Sequence, residues 1–239
     1  MKEPLILHIE TATAVCSVAL SEGEKLLILK ESDLDRSHAV LLTKFIRSCF
    51  SESKREISEL SAINVSKGPG SYTGLRIGVS TTKGIAYARN IPVISTGTLN
   101  SLAACALEAT AIKELILMHK DNLLLCPMLD ARRMEVYTAL FNIDGKMLRD
   151  VSADIIEEDS YHELLEKHKI CFFGDGSEKC KTIINHPNAS FIDGIIPSAK
   201  YMIQLALEAF KKEQFEDVAY FEPFYLKEFI ATIPKKKVI

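Results

Sequence analysis

The segment SKGPGSYTGLRIG, residues 66–78, lies between an apolar stretch typical of a strand and an amphipathic stretch typical of a helix. Its glycines at positions 68, 70 and 74 leave several backbone N–H groups without side-chain cover. Such groups at a helix N-terminus bind anions, and the helix dipole favours negative charge there. The segment therefore predicts a loop between a strand and a helix, which we call the glycine loop. This loop either holds an anion or is purely structural.

Two well-known phosphate loops do not fit this segment. A Walker A loop needs a Lys-Ser or Lys-Thr pair after its last glycine, and none follows here. A dinucleotide-binding loop needs an acidic residue at the end of a neighbouring strand, and the sequence has none at the expected distance. If the segment binds phosphate, it is a phosphate loop of another kind.

The composition is that of a folded globular protein. The chain has 239 residues, of which 47% are hydrophobic and 26% are charged, so disorder is not expected. Its formal net charge is −3, and a basic run occurs only at Lys235–Lys237. Phosphate neutralisation supplies most of the affinity of proteins that hold nucleic acid by their own surface. If RNA is bound, we therefore expect another molecule to supply most of the positive surface.

The sequence also indicates where the protein works. Acidic side chains occur early and no uninterrupted apolar run follows them, so we predict no secretory signal. No apolar stretch approaches the length that spans a bilayer, and we expect no membrane attachment. The six cysteines include no Cys-x-x-Cys pair, which argues against a structural zinc site. We therefore expect a cytoplasmic protein with buried, reduced thiols.

Hydrophobic periodicity divides the chain into two successive units of strands and helices. In the first unit we predict strands at residues 5–10, 15–20, 25–30, 62–66 and 91–95, and helices at 35–50, 74–89 and 98–109. In the second we predict strands at 123–129, 135–141 and 170–173, and helices at 161–168 and 198–212. This repeat predicts a duplicated α/β architecture with subdomains at residues 1–108 and 109–239, the last helix packing back on the first subdomain.

The predicted helix 74–89, for which Thr73 is a suitable N-cap, carries small residues at Gly74, Gly78 and Thr82. A glycine inside a helix lowers helix stability by about 1 kcal/mol relative to alanine. The presence of these glycines is explained if another backbone approaches the helix closely. That backbone belongs either to the chain's own sheet or to a helix of a partner. The sequence leaves both hypotheses open.

The predicted first strand ends in Glu10, and Thr11 and Thr13 follow before a return strand. This arrangement resembles the first phosphate motif of the ASKHA superfamily, which includes actin, sugar kinases and heat-shock proteins. Together with the glycine loop, it closely resembles the TsaB (YeaZ) family of bacterial tRNA threonylcarbamoyladenosine biosynthesis. Further matches are Arg36-Ser37-His38, Lys83–Ala86, Asp130–Arg133 and Pro223–Lys227.

The resemblance implies an ASKHA fold of the actin-like ATPase and ribonuclease H type, and a set of partners. TsaB-like proteins pair with the related transferase TsaD, which places a threonylcarbamoyl group on an adenosine beside the tRNA anticodon, and the ATPase TsaE docks on that pair. In TsaD, a His-x-x-x-His pair on one helix face binds the catalytic metal. Thr98 and Leu102 stand at the corresponding positions here, and leucine cannot ligate a metal. The resemblance therefore implies a non-catalytic subunit, with no catalytic residue and no metal, that meets tRNA through the complex.

The resemblance also implies a vestigial site for ATP, ADP or another anion, without turnover and without a resident cofactor. Its residues are Glu10, Thr11, Thr13, Gly68, Gly70, Ser71, Thr73 and Gly74. Glu10 replaces the aspartate typical of this position, and its extra methylene displaces the carboxylate. A strand-end cap and turn is therefore the alternative for residues 10–13. A stand-alone ATP-dependent phosphotransferase of the superfamily, or a peptidase-like hydrolase, is the alternative for the whole chain.

We expect the partner to bind two predicted helices of the first subdomain. The expected interface residues are His38, Leu41, Leu42, Phe45, Gly74, Gly78, Thr82 and Tyr87. Large contiguous apolar patches are rarely left in water. We therefore expect a heterodimer with TsaD, and a homodimer through the same surface when the chain is alone.

Two further polar features have structural alternatives. His8 and His38 are each expected to be hydrogen-bonded structural histidines, because no Ser–His–acid or Cys–His–acid set can be assembled around them. The segment Asp130-Ala131-Arg132-Arg133 reads as a polar hairpin turn. Its two neighbouring arginines either reach a phosphate or remain solvated.

Overall fold

The structure, a computed structural model, describes residues 3–32 and 38–227. Its first sheet contains β1 (Leu5–Glu10), β2 (Cys16–Glu22), β3 (Lys25–Ser32), β4 (Ala62–Gly68) and β5 (Val93–Gly97). These strands lie in the order β3-β2-β1-β4-β5. Two helices belong to this half of the chain, α1 (His38–Ser53) and α2 (Tyr72–Arg89).

The second half begins with two helices, α3 (Thr98–Glu108) and α4 (Thr110–His119). Its sheet contains β6 (Leu123–Asp130), β7 (Glu135–Phe141), β8 (Met147–Ile155), β9 (Lys169–Phe173) and β10 (Ala189–Ile192), in the order β8-β7-β6-β9-β10. A short helix α5 (His162–Leu165) precedes β9, and α6 (Ile203–Lys211) follows the sheet; 3₁₀ turns lie at Ile57–Glu59, Lys120–Asn122, Glu178–Cys180 and Ala199–Met202. None of the helices in the two described ranges is both long and apolar enough to cross a membrane.

The two sheets are built to the same plan. In the first, β1 pairs antiparallel with β2 and parallel with β4. In the second, β6 pairs antiparallel with β7 and parallel with β9. The equivalent strand orders confirm the predicted α/β fold of the ASKHA type with two duplicated subdomains.

The central strand β1 is buried along its whole length because helices cover both faces of its sheet. On one face α1 contributes Leu42 to the core beneath it. On the other face Ala206 of α6 packs against Ile6, Ala62 and Ile94. The C-terminal helix thus covers the first sheet, while α3 contacts strands of both sheets. The division of the chain at residue 108 stays a prediction.

Several elements differ from the sequence prediction. The prediction missed α4, β8 and β10. It placed the start of α2 at residue 74 with Thr73 as the N-cap, but the helix begins two residues earlier, at Tyr72. The N-cap is Ser71, whose hydroxyl accepts a hydrogen bond from Gly74 N–H at 3.3 Å. The predicted helix 161–168 contains only α5, and the predicted helix 198–212 begins with a 3₁₀ turn. The predicted start of α1 at Asp35 lies outside the described residues.

Candidate functional site

A cleft of about 870 Å³ lies where loops at the ends of the central strands of both sheets meet; we call it the intersheet cleft. One wall comes from the turn after β1 and from the glycine loop. The other wall comes from the β6–β7 turn and the loop after β9. The lining residues are 12–14, 38, 69–73, 129–133, 135, 137, 175 and 224–227.

The glycine loop packs backbone to backbone against the turn that follows β1. Ser71 N–H donates to the carbonyl oxygen of Ala12 at 2.6 Å, and the Thr11 hydroxyl donates to the carbonyl oxygen of Gly74 at 2.8 Å. A Cβ at Gly70 would overlap the Ala12 carbonyl, and a Cβ at Gly74 would overlap the Thr11 carbonyl. Close approach to the chain's own turn therefore requires glycine at both positions.

Glu10 lies behind this wall rather than in the intersheet cleft. Its side chain is fully buried. The Oε1 atom accepts a hydrogen bond from Ala12 N–H at 2.7 Å, and no described residue hydrogen-bonds to the Oε2 atom. Burial raises the pKa of Glu10 to about 7, although the Ala12 N–H lowers it in part. The carboxyl group therefore bonds the turn after β1 and does not line the intersheet cleft.

The residues proposed for a nucleotide site are divided between two environments. Four of them line the intersheet cleft: Thr13, Gly70, Ser71 and Thr73. The other four are buried behind the wall: Glu10, Thr11, Gly68 and Gly74. The Thr11 hydroxyl and the Glu10 Oε1 atom are bonded to backbone groups of the chain itself, so a role of these two residues in holding a phosphate stays a prediction. Nucleotide binding by the remaining cleft stays a prediction.

The opposite wall is the β6–β7 turn, where Arg132 and Arg133 adopt positive φ angles of 67° and 47°. The Lys179 ammonium donates to the carbonyl oxygens of Arg133 and Glu135, at 2.7 Å each, and forms an ion pair with Asp130. A turn of non-glycine residues in this region is strained unless its surroundings hold it. Lys179 supplies that support.

A C-terminal strap, residues 216–227, runs from the first sheet across the mouth of the cleft. Lys83 on α2 donates to its Ala219 and Phe221 carbonyl oxygens, at 3.0 and 3.1 Å. Further on, Phe224 N–H donates to Lys67 O at 2.7 Å, and the Tyr225 ring lies 4.9 Å from that of Tyr72. Lys227 then forms an ion pair with Glu135 of the second sheet. The sequence marked residues 223–227 as a motif but gave no sign of this crossing.

Comparison of the sequence and the structure with known proteins identifies the family of this chain. The sequence model of the family "TsaD: tRNA N6-adenosine threonylcarbamoyltransferase" matches residues 32–235. The Bacillus subtilis tRNA threonylcarbamoyladenosine biosynthesis protein TsaB is 31% identical over 182 residues, which cover 75% of this chain and 74% of the relative. The chain belongs to the TsaB (YeaZ) family.

Other TsaB-family proteins match over nearly the whole chain. The Escherichia coli TsaB protein is 26% identical over 234 residues, which cover 95% of this chain and 96% of the relative. A crystal structure from Pseudomonas aeruginosa, described as similar to peptidase YeaZ, has a TM-score of 0.76 at 23% identity. It covers 94% of this chain and 100% of its own, and it supports the fold.

The two positions that the resemblance assigns to the TsaD metal pair are part of the core in this TsaB-family chain. Thr98 and Leu102 are both fully buried on α3. The Thr98 hydroxyl lies 2.9 Å from the Ser66 hydroxyl at the end of β4. In residues 3–32 and 38–227, the structure contains no group of three or more His, Cys, Asp or Glu side chains arranged to hold a metal ion.

Most of the residues that we expected at a TsaB-type partner interface are covered by the chain itself, and the interface stays a prediction. Five are buried inside the chain: Leu41, Leu42, Gly74, Gly78 and Thr82. Phe45 is half-buried against the same core, and His38 lines the intersheet cleft, where its Nε2 atom is 2.8 Å from Thr13 O. Tyr87, 85% exposed, is on the surface. The apolar face of each helix is the face that covers the first sheet, so a partner would meet the opposite faces.

His8 is structural in this TsaB-family chain. It is fully buried in β1, with Nε2 at 2.9 Å from the Ser21 hydroxyl and Nδ1 at 3.2 Å from the Asn64 amide nitrogen. Burial lowers its pKa to about 3, so the ring is neutral at physiological pH. It does not line the intersheet cleft and belongs to the polar core of the sheet.

Proposed function

We propose that this chain acts in tRNA threonylcarbamoyladenosine biosynthesis as a non-catalytic subunit that binds and activates the transferase TsaD. The observation that carries the proposal is the burial of Thr98 and Leu102, at the positions that the resemblance assigns to the metal-binding histidines. A buried threonine bonded to Ser66 and a buried leucine cannot hold a catalytic metal ion. The sequence model of the transferase family matches the chain, but histidine is absent from both of these positions.

The exposed faces of α1 and α2 are the surface that we propose for TsaD. Val40 is 53% exposed on α1, and Tyr87 projects from α2. Gly84 of α2 is exposed, and a Cβ built on it would meet no atom within 4 Å. An exposed glycine lets a partner helix approach closely, and tyrosine is enriched at interfaces. We propose that the same faces form the homodimer when TsaD is absent, and that TsaE and tRNA bind the assembled complex.

Two observations count against the alternative activities. A phosphotransferase of this superfamily would use the acidic residue after the first strand, and Glu10 is enclosed behind the glycine loop. A cysteine hydrolase would need an exposed, acidic thiol. All six cysteines are buried, and burial raises the pKa of Cys16 to about 11 and those of Cys49 and Cys126 to about 12. These observations favour a binding role.

The test is reconstitution of the modification from purified components. We expect a mixture of TsaD, TsaE, the threonylcarbamoyl-adenylate synthase and tRNA to form modified adenosine only when this chain is added. The chain alone, supplied with Mg-ATP, is expected to consume no ATP. Unchanged product yield after omission of the chain would refute the proposal, and so would ATP turnover by the chain alone that Glu10→Ala abolishes.

A further inference from the structure

The C-terminal strap is firmly attached to the first half of the molecule. Glu216 N–H donates to the carbonyl oxygen of Val93 in the edge strand β5, at 2.8 Å. Phe221 is buried in the core beneath the first sheet. Phe224 N–H donates to the carbonyl oxygen of Lys67 at the end of β4, at 2.7 Å. The strap up to residue 224 is therefore anchored on the first half.

The last residue of the strap reaches a well-supported part of the second half. Lys227 forms an ion pair with Glu135, the first residue of β7, which is 92 positions away in the sequence. The Lys179 ammonium, from the loop after β9, donates to the carbonyl oxygens of Glu135 and Arg133 at 2.7 Å each. The carboxylate that receives Lys227 is therefore carried by a backbone that another loop holds in place.

The two sheets are also joined through α3. This helix packs against β4 and β5 of the first sheet and against β6 and β7 of the second. The Thr98 hydroxyl at its start is 2.9 Å from the Ser66 hydroxyl of β4, and Leu102 belongs to the core of the second sheet. Two units that share one helix can turn relative to each other about it. The strap adds a second connection, across the mouth of the intersheet cleft.

The ion pair between Lys227 and Glu135 is suited to reversible closure. Both side chains keep contact with solvent, and exposed ion pairs are weak and are screened by salt. The anchored Phe224 is close to Lys227 in the sequence, so the ammonium stays near the carboxylate when the pair breaks. Such tethering gives Lys227 a high effective concentration at Glu135. The pair can therefore open and form again without detachment of the strap.

We propose that the Lys227–Glu135 ion pair is a latch that holds the intersheet cleft closed, and that its release lets the second sheet turn away from the first about α3. After release, the strap stays on the first half and the gap between it and the β6–β7 turn widens. The inference concerns the chain alone. It does not depend on the binding of TsaD, and its failure would leave that proposal intact.

The first experiment measures the opening of the cleft with a tryptophan reporter in the full chain. The protein has no tryptophan of its own, so Tyr137→Trp, on the wall of the cleft, supplies a single emitter. Acrylamide is uncharged, and its quenching of the emission measures how easily small molecules reach the cleft. In this background we expect Lys227→Met to raise the quenching constant about twofold, because an exposed ion pair shifts a conformational equilibrium only modestly. The control is Lys181→Met, which removes the same charge from an ion pair with Asp193 inside the second half.

A double-mutant cycle shows whether the two side chains act on each other. We expect Glu135→Gln and Lys227→Met to raise the quenching constant equally, and the double variant to add nothing to either, because each substitution breaks the same pair. Lys227→Arg is expected to keep the parent value. Unchanged quenching in the single variants, additive effects in the double variant, or an equal rise in the Lys181→Met control would each overturn the proposal.

Hydrogen exchange distinguishes opening of the cleft from loosening of the whole chain. In Lys227→Met with Tyr137 retained, we expect faster exchange in residues 225–227 and in the β6–β7 turn, with the amides of α3 unchanged. An increase in sodium chloride from about 0.05 M to 0.5 M is expected to produce the same change in the parent, because salt screens the exposed pair, and no further change in the variant. Faster exchange throughout α3, or a parent that does not respond to salt, would refute the latch.

Discussion

The two halves of the molecule share one strand plan but differ in the elements that their strands lead into. In the first half, β4 leads through the glycine loop into α2, which has 18 residues. In the second half, β9 leads through a loop with Gly174 and Gly176 into a 3₁₀ turn of three residues. Likewise, the first half places the 16 residues of α1 after its third strand, and the second half places the four residues of α5 there.

This difference shows that the two halves of a duplicated fold can expose different elements on their surfaces. A long amphipathic helix buries one face on its sheet and leaves the other face to a partner. Only the first half has such helices next to its glycine loop, and we place the partner surface there. The second half instead presents the lysine-supported turn with Arg132 and Arg133. The two halves therefore expose different surfaces at the ends of their strands.

The largest expected change in the free energy of unfolding separates two glycines of α2, Gly74 and Gly84, one of which is closely packed and the other exposed. Gly74→Ala places a Cβ against the Thr11 carbonyl, whereas Gly84→Ala places one in open space. We expect the first to destabilise the chain by about 3 kcal/mol through overpacking and the second to stabilise it by about 1 kcal/mol through helix propensity. Urea unfolding of both variants measures the difference. Equal stabilities would contradict the close packing described for the glycine loop.

The next effect concerns Glu10, the acidic residue at the end of β1. Its pKa is about 7 in the folded chain and 4.5 as the reference value, so the folded state binds more protons between these pH values. The contribution of Glu10 to stability is therefore highest below pH 4.5 and falls by about 3 kcal/mol as the pH rises to 7. The substitution Glu10→Gln keeps the shape of the side chain and removes its charge.

We expect Glu10→Gln to unfold at higher urea concentration than the parent at pH 8, with the two differing much less at pH 4.5. Buried His8 contributes in the opposite direction below pH 6.5 in both proteins, so the comparison cancels it. Curves that are parallel across this range would show that Glu10 is not the group that titrates.

A third effect tests the assignment of the partner surface to the first half. Gly84→Arg adds a long side chain to an exposed point of α2 that contacts nothing within the chain. We expect unfolding stability to be unchanged or slightly higher, and affinity for TsaD and for a second copy of the chain to fall at least tenfold. Light scattering and titration calorimetry measure these affinities. Gly84→Ala is the matched control, and retention of full binding by the arginine variant would move the surface elsewhere.

The smallest expected change in stability concerns the C-terminal strap, which links the two halves of the molecule. Lys83→Met removes the ammonium that bonds the Ala219 and Phe221 carbonyl oxygens. We expect a loss of about 1 kcal/mol and faster hydrogen exchange in residues 217–227, with the β1 amides unchanged. Lys44→Met, an exposed lysine on α1, is the control. Equal exchange in both variants would show that Lys83 does not hold the strap.

Sequence patterns predicted the buried parts of the fold better than its edges. The bounds of β1 and β7 match the prediction because most of their residues are buried and apolar. The edge strand β8 was missed because polar residues interrupt it: Arg149, Asp150 and Asp154. Periodicity identified the apolar faces of α1 and α2 but could not show that the chain's own sheet covers them. The burial of Glu10 could not be predicted for the same reason, because burial depends on residues that are distant in the sequence.

The position of α6 has a consequence for synthesis on the ribosome. Ile6, Ala62 and Ile94 belong to the first strands that the ribosome releases, but Ala206 covers them only after most of the chain has been translated. The nascent first half therefore exposes one apolar surface of its sheet for most of elongation, and such surfaces promote aggregation. A fragment ending at residue 108 would keep that surface permanently bare, and a chaperone that binds apolar strands would recognise the growing polypeptide until α6 emerges.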